Sequence, residues 1–120
     1  MKYDNLISYI LGLFPEIKSN YENELSLNNI SSSDGPHVFF ELVFMPFIGN
    51  AIDNEDVPML RRFFAFVENM ENSDDPLIAE VAEFTVLEYL CDNYHDKDFA
   101  MHAGDETKEA LRQIRSYVSA

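Results

Sequence analysis

The stretch that decides the fold covers residues 63–96 and reads FFAFVENMENSDDPLIAEVAEFTVLEYLCDNYHD. It contains nine carboxylates and no lysine or arginine. A segment with one sign of charge is usually disordered, because self-repulsion opposes collapse and little apolar surface is available for burial. Here large apolar side chains alternate with the carboxylates throughout, so we expect the stretch to fold. The sequence therefore predicts a rigid apolar core that carries a strongly electronegative surface.

The apolar residues around Pro76 recur at helical spacing. Residues 58–70 place their apolar side chains on one face, and Asp75 followed by Pro76 is a strong signal for the start of a helix. We predict that this helix extends to Cys91, and we projected it at about 100° per residue. Its core face holds Ile78, Val81, Ala82, Val86 and Tyr89. Its opposite, mixed face holds Glu80, Glu83, Phe84, Leu87, Glu88 and Cys91.

Helical patterns also precede this stretch. A short first helix is predicted with Asp4 as its N-cap, and Pro15 begins a second helix that runs to about Leu25. Residues 26–36 are rich in Ser, Asn and Gly and predict a loop. Residues 38–45 are nearly all apolar and fit either a buried strand or a central helix interrupted at Pro46. We prefer the helix, because no other segment offers a strand partner.

The chain as a whole predicts one all-α domain over residues 1–120. Gly104 is expected to close the segment before the last helix, and Asp105 to cap that helix. The last helix should turn one stripe inward, composed of Ala110, Leu111, Ile114, Tyr117 and Val118. We predict six to seven helices in antiparallel pairs, as a layered bundle or a short HEAT-like stack. The central helices should begin near His37 and Pro76.

The charge balance limits the classes of partner. The net charge of −14 disfavours nucleic acids and anionic membranes and favours a basic partner attracted by electrostatic steering. A charge that only maintains solubility is an equally good explanation. No signal-peptide pattern opens the sequence, and the apolar run at residues 42–48 is too short to span a membrane. We therefore expect a cytoplasmic protein.

The sequence contains candidates for a nucleophile pair and for a metal site, but neither has the accompanying pattern that such a site needs. Cys91 and His95 would form a nucleophile pair on a continuing helix, but no oxyanion-donating segment accompanies them. Several acidic residues and histidines between Glu88 and His102 lack the spacing of a known metal motif. The sequence therefore predicts no catalytic residue, no metal and no cofactor.

The mixed face beginning near Glu80 allows two interpretations. In one, Phe84 and Leu87 pack on another helix and the glutamates surround the edge. In the other, the face is an exposed contact patch. We favour packing, because large exposed apolar patches are uncommon.

Four segments resemble a known family: LRRFFAFVE at residues 60–68, DPLIAEV at 75–81, FTVLEYL at 84–90 and AGDET at 103–107. They are similar to small acidic all-α bacterial immunity proteins encoded beside polymorphic or contact-dependent growth inhibition toxins. The resemblance covers about the C-terminal two-thirds of the chain. It implies that the protein neutralises a cognate toxin by binding, and it carries over no catalytic residue.

Charge and resemblance together give a functional hypothesis. A nuclease toxin holds phosphates in a basic cleft, which a rigid acidic protein can cover. We predict a monomer that forms a 1:1 complex with a basic, nuclease-type toxin domain. The alternative is an acidic helical adaptor for a basic cytoplasmic protein. The predicted partner-binding residues are Glu68, Glu71, Asp74, Asp75, Glu80, Glu83, Phe84 and Glu88.

Overall fold

The computed structural model describes residues 1–119, with side chains described through residue 116. None of residues 1–119 lies in a β-strand, and six helices account for most of this part of the chain. The predicted all-α class is therefore confirmed. The first two helices are short: α1 is Leu6–Leu13, which follows a 3-10 turn at Tyr3–Asn5, and α2 is Lys18–Ser26, which follows a 3-10 turn at Pro15–Ile17.

The remaining helices are longer, and two of them contain a wide π-helical turn. Helix α3, residues 36–53, consists of Pro36–Phe39, the π segment Phe40–Phe44 and Met45–Asp53. Helix α4 is Val57–Glu71. Helix α5, residues 76–93, consists of Pro76–Val81, the π segment Ala82–Leu87 and Glu88–Asn93. The 3-10 turns Asp96–Asp98 and Ala100–His102 lead to α6, Asp105–Ser119.

Helix α3 confirms the helical interpretation of residues 38–45. The irregularity lies just before Pro46, where the N–H of Met45 donates to the carbonyl of Phe40 five residues earlier. Proline has no N–H to donate, and its ring crowds the carbonyl four residues before it. A wider turn at this point lets the helix continue past the proline instead of ending there.

Helix α4 packs against α3, α5 and α6 and supplies much of the core. Its buried side chains are Met59, Leu60, Phe63, Phe64, Phe66, Val67 and Met70. Phe66 is buried beneath a second layer, with its ring centroid 5.8 Å from that of Phe14 and 6.2 Å from that of Tyr9. Each such buried side chain stabilises the fold by about 1.5–3 kcal/mol. Helix α4 is thus as central as α3 and α5.

Two expected helix starts were wrong. Asp4 lies inside the 3-10 turn at Tyr3–Asn5, and Asn5 occupies the N-cap position of α1. Asp105 is the first residue of α6 and does not cap it. In the expected inward stripe of α6, Ala110 and Leu111 are buried and Ile114 is half-buried. The side chains of Tyr117 and Val118 lie outside the described part.

The sequence predicts no membrane-spanning segment, and the length and composition of the helices bear on this prediction. Among residues 1–119, no helix is long and apolar enough to cross a lipid bilayer.

Candidate partner-binding surface

Asp75 organises the start of α5. Its Oδ1 accepts a hydrogen bond from the Leu77 N–H at 3.0 Å, which confirms it as the N-cap. Its Oδ2 accepts another from the Tyr3 N–H, also at 3.0 Å. The carboxylate therefore caps one helix and fixes the N-terminal segment. Asp75 was predicted to bind a partner, but both of its oxygens already have partners within the chain.

Glu68 has a similar role at the start of α6. Its carboxylate accepts hydrogen bonds from the Glu106 N–H at 3.0 Å and from the Thr107 N–H and hydroxyl at 2.9 and 2.8 Å. Burial alone would raise the pKa of Glu68, but these hydrogen bonds lower it overall. A carboxylate on α4 thus does for α6 what an N-cap residue usually does. Glu68 is therefore part of the fold as well as of the acidic stretch.

Gly104 makes this capping arrangement possible. A Cβ atom at Gly104 would lie 2.5 Å from the Glu68 Cδ atom, which is far inside van der Waals contact. Its φ angle is not positive, so the expected role as a left-handed C-cap was wrong. The glycine is required because the glutamate carboxylate approaches the backbone closely at this position.

Glu71 and Glu83 form an unusual acidic pair next to this cap. Glu71 is half-buried, and its Oε1 atom is fully enclosed with no hydrogen-bond partner among the described residues. The pKa of Glu71 is raised to about 8. The largest cause is burial, followed by the charge of Glu83, a hydrogen bond to Glu83, and the charges of Glu68 and Glu106. Glu68, Glu71, Glu83 and Glu106 together are called the carboxylate junction below. They come from α4, α5 and α6.

The register of α5 explains what the predicted mixed face becomes. The π segment Ala82–Leu87 places more residues in one turn than an α-helix does, so positions beyond it rotate relative to the α-helical projection. As a result Leu87 and Leu90 are fully buried and Tyr89 is only half-buried. The expectation that Phe84 packs on another helix was wrong, since 60% of it is exposed. Leu87 does pack in the core.

The residues that remain on the solvent side of α5 form a continuous stripe. Leu77, Glu80, Phe84 and Glu88 are all exposed, at spacings of three or four residues. This set is called the outer face of α5. Within residues 1–116, Glu80 and Glu88 have no hydrogen-bond or ion-pair partner, and neither does the exposed Asp74 before the helix. The outer face therefore combines an apolar centre with uncompensated negative charge.

The contact that joins α5 to α3 has no local signal in the sequence. The His37 Nδ1 atom forms a short hydrogen bond with the Thr85 hydroxyl, beside Phe84. The two π segments contact one another in the same region. The sequence predicts only that a helix begins near His37. A hydrogen bond between residues 48 positions apart leaves no local pattern that would reveal the contact.

The Cys91–His95 geometry differs from that of a nucleophile pair. Helix α5 ends at Asn93, and both Tyr94 and His95 are extended, so His95 does not lie one helical turn beyond Cys91. Burial raises the pKa of the Cys91 thiol, which reduces its thiolate fraction. Among the described residues, no group of three or more His, Cys, Asp or Glu side chains has the geometry to hold a metal ion.

Three of the basic residues neutralise carboxylates elsewhere. Arg62 pairs with Glu16 and also donates to the Leu13 carbonyl, while its guanidinium lies 5.1 Å from the centre of the Phe14 ring. Arg112 pairs with Glu109, and Arg115 pairs with Asp96 at 2.6 Å. In the described part of the chain, no such ion pair involves a carboxylate of the outer face of α5.

Comparison with known proteins places this architecture in a family. Residues 7–118 match the family described as "Domain of unknown function (DUF7674)". The chain belongs to the DUF7674 family. No curated protein and no solved structure matches it. The DUF7674 match includes the carboxylate junction and the outer face of α5, so both surfaces lie inside the matched part of the chain.

Proposed function

We propose that this DUF7674 protein is an immunity protein that binds and neutralises a cognate toxin domain without turnover. The observation that carries the proposal is Phe84, which is 60% exposed between two glutamates that have no partner in the described chain. Exposed aromatic side chains surrounded by charge are typical anchors of protein interfaces. The toxin is proposed to be a nuclease, because a nuclease cleft is basic and complements this face.

The charges and the apolar centre have separate tasks in this proposal. The net charge of −14 attracts a basic domain and raises the association rate, an effect that salt weakens. Phe84 and Leu77 then lose water on contact and supply affinity. Glu80 and Glu88 form charge-assisted hydrogen bonds with lysine or arginine side chains of the toxin. The proposed complex is 1:1 and cytoplasmic, and it needs no cofactor.

The structure changes which residues should be tested. Glu68 and Asp75 are hydrogen-bonded within the chain, and Glu83 belongs to the carboxylate junction. Substitution of any of these three would disturb the fold, so a change in binding could not be assigned to a lost contact with the toxin. Glu80 and Glu88 separate the two effects, because exposed side chains without partners change stability by no more than about 0.5 kcal/mol.

The experiment measures binding of the doubly reversed variant Glu80→Lys/Glu88→Lys to the product of the neighbouring gene, which is the candidate toxin. We expect the variant to fold normally and to bind the toxin at least about 100-fold more weakly, since a truncated charge pair at an interface costs roughly 2–5 kcal/mol. The matched control, Glu22→Lys/Asp53→Lys, makes the same charge change at exposed positions elsewhere.

Two results would contradict the proposal. Equal weakening by both double variants would mean that only net charge matters. Unchanged affinity in Glu80→Lys/Glu88→Lys would exclude the outer face of α5 as the binding site. If the neighbouring gene product does not bind and a basic protein of the same cell does, the acidic adaptor replaces the immunity protein.

A further inference from the structure

A second surface is formed mainly by the N-terminal part of the chain and includes no residue of the outer face of α5. A cavity of about 500 Å³ opens between the start of α1, Tyr21 on α2 and the loop before α3. This volume is within the usual range for small-molecule sites, roughly 300–1,000 Å³. The cavity is called the N-terminal cavity below.

The wall of the N-terminal cavity is partly apolar. Tyr3, Ile7, Leu11 and Tyr21 all line it, and each of them packs against the core while remaining partly exposed. The Tyr21 ring is held edge-on against the fully buried Phe39, with the two centroids 5.3 Å apart. This wall can therefore accept an apolar ligand body without rearrangement.

The polar groups of the cavity are all neutral or negative. Asp4 and Asp34 line it, and no lysine or arginine among the described residues does. Asp34 uses Oδ2 to accept the Ser31 N–H at 2.8 Å, which fixes its position and leaves Oδ1 without a partner among the described residues. Asp4 has no hydrogen-bond partner in that part of the chain, and neither do the hydroxyls of Tyr3 and Tyr21.

The position of these groups is set by the fold. Tyr3 is fixed through its N–H, which donates to Asp75. A Cβ atom on Gly35 would lie 3.4 Å from the Tyr3 hydroxyl, so the loop approaches the phenol closely. The site therefore brings two phenols, two carboxylates and an apolar wall together before any ligand arrives.

We infer that the N-terminal cavity binds a small organic cation, an ammonium group carried on an apolar body. Carboxylates supply the opposite charge, tyrosine rings favour ammonium groups, and Ile7 and Leu11 receive the apolar part. The surrounding negative charge of the chain raises the local concentration of such a ligand. The assignment is independent of the toxin proposal, because it uses none of the residues on the outer face of α5.

The test uses two probes of one shape, 2-phenylethylammonium and the neutral 2-phenylethanol, in calorimetry at moderate salt. We expect the cation to bind at least about tenfold more tightly than the alcohol, a difference of about 1.4 kcal/mol. Asp4→Asn should remove most of that preference. The control Asp92→Asn removes the same charge at an exposed position on α5 and should retain the preference for the cation.

Nuclear magnetic resonance then locates the probe. Ring signals of Tyr3 and Tyr21 should shift with the cation and saturate. Equal binding of the cation and the alcohol would overturn the assignment. It would also be overturned if Asp4→Asn and Asp92→Asn reduced the preference for the cation equally. Shifts confined to other tyrosines would place the probe elsewhere and would also overturn it.

Discussion

The carboxylate junction and the outer face of α5 use the same chemical group for opposite purposes. In the junction, Glu68 receives three hydrogen bonds, and the pKa of Glu71 is raised to about 8, which favours its neutral form. On the outer face, Glu80 and Glu88 are exposed and unpaired within the described chain. A carboxylate close to the core must be neutralised by its surroundings, whereas one in water remains available to a partner.

The sharpest way to test this difference is Phe84→Ala. The outer face should lose its anchor, and toxin affinity should fall by about 2 kcal/mol or more, as at interface hot spots. Thermal unfolding of the free protein should change little, because most of the side chain is already exposed. Binding calorimetry and a melting curve measure the two quantities. A large loss of stability with normal affinity would reverse the roles assigned to the two regions.

The opposite variant, Glu68→Ala, should affect folding and spare binding. It removes the cap of α6 and leaves the donors of Glu106 and Thr107 without this acceptor, so we expect a loss of about 1–2 kcal/mol in the free energy of unfolding. Chemical denaturation measures it. Glu80→Ala is the matched control and should lie within about 0.5 kcal/mol of the wild type. Similar effects of both variants would show that the junction has no special structural role.

The pH dependence of stability should separate the two regions further. Since the pKa of Glu71 is raised from 4.5 to about 8 in the folded protein, the protonated form favours folding. This contribution is complete below the unfolded-state pKa and is lost as the pH rises through about 8. Because Glu71 is half-exposed, solvent screening should limit the loss to on the order of 1 kcal/mol.

Denaturation curves collected between acidic and weakly alkaline pH test this expectation. Glu71→Gln cannot ionise, so its stability should fall less steeply than that of the wild type over the same range. Glu80→Gln should follow the wild type. If Glu71→Gln and the wild type show parallel curves, Glu71 is ionised in the folded state and the junction is not protonated.

Much of the fold could be predicted because its signals are local. The Asp75–Pro76 cap, the apolar residues of α4 and the helical interpretation of residues 38–45 all follow from neighbouring positions. The exposure of Phe84 close to the buried Leu87 could not be predicted, because a π turn changes the register of the helix. The roles of Glu68 and Gly104 depend on residues about 38 positions apart and require the tertiary structure.

The candidate site was therefore predicted only in outline. The acidic character of residues 63–96 was evident from the sequence, but its division into two functions was not. Charge counts treat Glu71, Glu80 and Asp75 alike. Only burial and hydrogen bonding distinguish them: the pKa of the first is raised, the second has no partner in the described part of the chain, and the third is a helix cap.

The raised pKa of Glu71 also affects the net charge of the folded molecule. The formal charge of −14 counts every carboxylate as ionised. With the pKa of Glu71 raised to about 8, we expect the folded chain to carry close to one negative charge fewer than that at neutral pH, and the unfolded chain to recover it. Folding should then be accompanied by proton uptake from the medium, and the folded protein should move in an electric field as a slightly weaker polyanion than its composition implies.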